Sequence, residues 1–116
     1  MGKRNRGAGR IAAPTAEYRD ADGNVLELRG SMSPLTRRKY AATLHDQRRT
    51  TDDSWQRAVE FLFERLAERW TIHDVPTEGQ KELLQRYRLA SAEERRWIRD
   101  VLRRHLAEHF PEVEAP

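Results

Sequence analysis

The apolar residues of this chain follow a helical rhythm in two long stretches and alternate with polar ones in a third. Trp55, Ala58, Val59, Leu62, Phe63, Leu66 and Trp70 recur at i, i+3 and i+4, which places them on one stripe about 140° wide and predicts a helix over 53–70. The polar "RRTTDD" before it supplies a loop and caps. Phe61 falls outside the stripe, so an apolar contact to a partner is expected there. The second long stretch, 92–109, carries Ile98, Val101, Leu102 and Leu106 on one side. Ser91 and Glu94 stand at capping-box spacing at its start and Pro111 stops it.

Shorter elements lie around these two. "TIHDVP" reads as a helix break, because Pro76 cannot continue a helix. Thr77 and Gln80 again have capping-box spacing, and a helix over 78–89 with a narrow stripe of Leu83, Leu84 and Tyr87 is expected after it. In "SMSPLTRRKYAATLHDQ", Ser33 reads as an N-cap and Pro34 as the first helical residue, although the face of Leu35, Tyr40, Ala41 and Leu44 is scattered. Upstream, "AEYRDADGNVLELRG" alternates: a run at 17–19, a turn around Asp22, Gly23 and Asn24, and a run at 25–28 with Leu26 and Leu28 on one face. The predicted fold is therefore mainly α, about four helices in a small bundle with an N-terminal β-hairpin. The hairpin must lie on the helices or on a partner, since two strands alone are marginal in water.

Composition sharpens this. A chain of 116 residues with 37% hydrophobic and 35% charged residues builds one modest core and no deep substrate cavity. Residues 1–14, rich in Gly, Arg and Ala without an apolar period, read as a disordered basic tail. Residues 15–110 read as the single helical domain and 111–116 as a C-terminal tail. No run approaches the roughly 18 apolar residues of a membrane span, and "MGKRNRGAGR" lacks the apolar stretch of a secretory signal. A soluble, cytoplasmic protein without membrane contact is expected. With no cysteine in the chain, thiolate metal sites and disulfides are excluded.

One stretch, "RRHLAEHF", spells H-x-x-E-H through His105, Glu108 and His109. Two imidazoles one turn apart can chelate zinc. However, the peptidases that carry this signature need a further glutamate from a later helix, and only seven residues follow His109. His45 and His73 have no ligand-like spacing to the pair, and histidines in a last helical turn suit the negative end of the helix dipole. His105 and His109 are therefore read as structural, with a metal site as the competing reading. No nucleophile elbow or phosphate-cradling glycine loop is present, and Asp52, Asp53, Glu93 and Glu94 sit where helix starts want acids. No cofactor and no catalytic residue are expected.

The net charge of +3 invites a nucleic-acid reading, and its distribution matters. Four of the 22 basic residues, Lys3, Arg4, Arg6 and Arg10, precede residue 17 with no acid among them. That leaves 18 basic against 19 acidic residues in the remainder. On the last helix Arg95, Arg96, Arg99 and Arg103 lie within about 100° of one another, and the pair of helices over 77–110 has the outline of a helix-turn-helix. Glu93 and Glu94 occupy the turn that would meet the bases, and Arg96–Asp100 and Asp100–Arg104 have the spacing of a salt-bridged surface. In the nucleic-acid reading the tail, Arg37, Arg38, Lys39 and the helix arginines contact phosphates without reading sequence.

The leading reading is a non-catalytic module that binds a protein partner, an adaptor or assembly factor, with Phe61, Trp97 and Phe110 as aromatic anchors. The layout over 16–110, an early hairpin "DADGNVLELRG" followed by loosely packed helices, resembles the small tail assembly chaperones of long-tailed phages. That resemblance implies a protein that holds an extended helical client during assembly.

Overall fold

A computed structural model describes residues 14–116. The first hairpin forms from β1 (Thr15–Arg19) and β2 (Val25–Arg29), antiparallel, with Tyr18 opposite Leu26. Gly23 at φ 83° supplies the left-handed residue of the turn. Asp20 Oδ1 ties that turn together by accepting from the backbone N–H of Asp22 and Asn24, both at 2.9 Å.

Helix α1 (Pro34–Leu44) starts where Ser33 accepts from the Thr36 N–H, with proline in the first turn. Helix α2 (Thr51–Leu66) is capped by Thr50 and carries Asp52 and Asp53 in its first turn, where carboxylates complement the dipole. Tyr40 of α1 meets Phe61 of α2 with ring centroids 6.4 Å apart.

The chain then departs from the bundle predicted above. The helix ends at Leu66, and the next residues form β3 (Ala67–Ile72) and β4 (Val75–Glu78). The four strands make one antiparallel sheet in the order β1-β2-β3-β4. Over the described residues the fold is thus α+β, four helices and a four-stranded sheet, and the N-terminal hairpin is half of that sheet. Trp70 keeps the helical spacing of its predecessors by coincidence. It lies in β3 opposite Leu26, with its side chain buried. A register shift between Glu27 and Leu28 skips Glu68 in the pairing and lets the strand leave the helix without a loop. "TIHDVP" is a two-residue hairpin turn whose central residues His73 and Asp74 both take positive φ, 51° and 66°. Pro76 is tolerated because β4 is an edge strand.

Gly79 precedes α3 (Gln80–Arg88), and no side chain caps that helix, since Thr77 sits in β4 opposite Trp70. Helix α4 (Ala92–His109) opens with the capping box of Ser91 and Glu94, both bonds formed. Tyr18, Leu26, Leu28 and Trp70 are buried on one face of the sheet against the helices, while Glu17, Arg19, Arg29 and Arg69 are exposed on the other. Phe63 sits at the centre, stacked on Tyr87 at 4.9 Å and edge-on to Trp70 at 5.8 Å. Residues 111–116 run back over α1: the Tyr40 hydroxyl donates to the Glu114 carbonyl at 2.6 Å and Val113 and Ala115 pack on the core. No helix among the described residues is long and apolar enough to cross a membrane.

Candidate functional site

The residues singled out above go to three different places. Phe110 is buried, its ring 5.9 Å from that of His105 and covered by Arg37. Phe61 and Trp97 are half-buried and pack on the core, with the Arg65 guanidinium 5.0 Å over Phe61. Phe110 thus belongs to the core, whereas Phe61 and Trp97 keep part of their surface exposed. Leu89, at the end of α3, is far more exposed at 81%.

His105 has no exposed surface. Its Nε2 donates to the Arg29 carbonyl at 2.8 Å, because a carbonyl can only accept. In the neutral ring Nδ1 then accepts from the Tyr18 hydroxyl, also at 2.8 Å. Burial first, and then the neighbouring His109 imidazole 4.5 Å away, hold the His105 pKa below 6.5. The Arg29 carbonyl and Glu108 act against that shift. Burial, then Glu108, push Tyr18 up to about 12, which keeps it a hydroxyl donor. Both ring nitrogens are spoken for, and a metal at His105 would have to break two buried hydrogen bonds. Among the described residues no three His, Asp or Glu side chains gather as ligands.

The basic residues divide similarly. Lys3, Arg4, Arg6 and Arg10 lie outside the described residues. Arg37 pairs with Glu112, whereas Arg38 and Lys39 are exposed on α1. Arg103 donates to the Pro116 carbonyl at 3.3 Å. Arg95, Arg96 and Arg99 line a cleft of about 620 Å³ between α2 and the first half of α4. Asp52, Asp53, Trp55, Arg57 and Glu60 of α2 form the opposite wall.

Two of these arginines are held by aromatic rings. The Arg99 guanidinium lies 5.3 Å over Trp55, and that of Arg95 lies 5.1 Å over Tyr87. A guanidinium positioned over a ring is held in place while its outward N–H groups stay available to anionic oxygens. Arg95 spends one of them on the Arg88 carbonyl at 2.9 Å, and the buried Nε of Arg99 has no hydrogen-bond partner among the described residues. The expected pairs Arg96–Asp100 and Asp100–Arg104 do not form. Among the described residues none of Arg95, Arg96 and Arg99 is in a salt bridge, and the sequence before Pro14 contains no acid.

The carboxylates on the cleft wall are, by contrast, mostly engaged. Asp53 pairs with Arg57 and Arg49, which lowers its pKa, the Arg57 hydrogen bond contributing most. Glu60 pairs with Arg88. Glu94, on the first turn of α4 outside the cleft lining, is held below its ordinary value, against the opposing effect of desolvation, by hydrogen bonds from the Ser91 backbone and Arg86. Asp52 is exposed and, among the described residues, in no salt bridge. Trp55 is 39% exposed. Periodicity assigned it to the core stripe, and no sequence signal marks it as the rim of a cleft, because that depends on where α4 crosses.

No family model, curated protein or solved structure matches this chain.

Proposed function

We propose that this protein is a non-catalytic nucleic-acid-binding module that grips the phosphate backbone in the α2–α4 cleft. The observation that carries the reading is the set of three arginines, Arg95, Arg96 and Arg99, that share one face of α4 without a carboxylate partner. Two of them are pre-ordered on aromatic rings. Ordered guanidinium forks with free in-plane donors match phosphate oxygens, and less side-chain entropy is lost when they bind. Contacts of this kind give affinity without sequence reading. The four basic residues of the N-terminal segment add a second, long-range attraction. Of the aromatic anchors of a protein-binding surface, Phe110 is buried and Phe61 and Trp97 spend part of their surface on the core, which leaves the adaptor reading less support than the arginine cluster gives this one.

The test is fluorescence anisotropy of a labelled oligonucleotide of about 20 nucleotides, longer than the roughly 4–16 that a small single-strand site covers, titrated over a range of salt. Affinity should fall steeply with salt. The R95A/R96A/R99A variant should bind more weakly and lower the logarithmic salt slope by about 0.7 per lost phosphate contact. Replacing Lys3, Arg4, Arg6 and Arg10 by alanine should reduce affinity while leaving the effect of the cleft variant in place. Wild-type binding by the triple variant would sink the reading.

A further inference from the structure

We infer that the cleft takes a single strand, with an unpaired base stacked at Trp55 and the flanking phosphates on Arg96 and Arg99. This inference rests on the phosphate-binding reading above and adds the class of strand. Three features of the cleft separate a single strand from a duplex.

First, the arginines face α2 across a concavity. They do not stand on a convex ridge, and a helix that reads a duplex must project into the groove. Second, the turn of α4 that would enter a major groove carries Glu93 and Glu94. Glu94 is fixed there by the Ser91 cap and Arg86, so it cannot swing away from phosphates. Third, the cleft offers π surfaces. Trp55 is exposed at the rim, and the Arg99 guanidinium over it is itself a stacking plane. Bases in a duplex are stacked on one another and hidden from such a surface, whereas an unpaired base of any identity can use it. Asp52, exposed on the same wall and without a salt bridge among the described residues, repels a phosphate but accepts from a base N–H. The strand is thereby expected to lie with its bases toward α2 and its backbone toward α4.

The experiment uses the full chain with three probes: an oligothymidine, a duplex of equal length, and polyglutamate. Each is tested with wild type, Trp55→Ala and Trp55→Phe. Since Trp55 is partly exposed, its replacement should leave the far-ultraviolet circular dichroism unchanged, and Trp55→Phe controls for lost packing against Arg99. The expected result is tighter binding of oligothymidine than duplex. Trp55→Ala should lose at least about fivefold in single-strand affinity with duplex binding unaltered, and Trp55→Phe should recover most of the loss. Quenching of tryptophan emission by oligothymidine should also disappear in Trp55→Ala. Equal or tighter duplex binding, or a Trp55→Ala variant that binds oligothymidine as wild type does, would overturn the single-strand inference and leave the phosphate reading standing. Polyglutamate binding as tightly as oligothymidine would overturn both, and would point to an acidic protein segment as the occupant.

Discussion

His105 shows how one buried residue can tie the sheet to the helices. Its imidazole joins the Tyr18 hydroxyl of β1 to the Arg29 carbonyl at the end of β2, and Tyr18 in turn has Glu108 at 3.5 Å and Arg104 over its ring. Tyr18→Phe leaves Nδ1 without a donor and should lower unfolding free energy by about 1–3 kcal/mol in urea titration. The pH dependence follows from the direction of the shift. The folded ring stays neutral while the unfolded one protonates near 6.5, so this stability is intact above that pH and is lost as pH falls through and below it. The urea midpoint should therefore drop between about pH 8 and about pH 5. A flat or rising midpoint would contradict the neutral, doubly bonded imidazole.

At the scale of the element, the two hairpin turns contrast. The first uses glycine at its left-handed position, while the second places His73 and Asp74 there, which costs free energy but is tolerated better by these residues than by branched ones. Asn24 links the turns by accepting from the His73 N–H at 2.9 Å. Asp74→Gly should relieve strain and raise stability by up to about 1 kcal/mol, partly offset by unfolded-chain entropy. At the start of α4, Ser91→Ala removes one arm of the capping box and should cost about 1 kcal/mol. Thermal unfolding of both variants should move in opposite directions. The capping box at Ser91 is legible in the sequence because its partners are three residues apart. The same spacing at Thr77 and Gln80 is misleading, because Thr77 is committed to pairing with Trp70 in the sheet.

Across the whole molecule, charge is sorted by surface. On the outer face of the sheet Arg69 is engaged by both Glu27 and Glu78, with Glu17 next in the same row. Among the described residues, the α4 wall of the cleft keeps Arg95, Arg96 and Arg99 out of salt bridges, whereas Arg57 on the α2 wall pairs with Asp53. Two charge reversals follow from this. Arg96→Glu should weaken oligonucleotide binding at least roughly tenfold at low salt, as loss of a charged hydrogen bond does. Glu17→Lys, away from the cleft, should have little effect on the Trp55-dependent part of binding. Equal responses in anisotropy would mean that net charge alone attracts the ligand.

The sequence alone specifies the features whose signals are local: the extent of α4, the Ser33 and Ser91 caps, the body of α2, and the placing of Leu26 and Leu28 on one strand face. It also determined that the charge excess lies before residue 17. Long-range packing placed Trp70 in a strand, extended the first hairpin into a four-stranded sheet, buried Phe110 and laid Phe61 and Trp97 partly against the core. It formed the cleft too, since Trp55 and Arg99 are 44 positions apart and meet only where α2 and α4 cross. Caps and periodicity act between residues within a turn or two of each other. Strand pairing and helix crossing are settled by which apolar surfaces bury one another across the chain, and no short spacing encodes that choice.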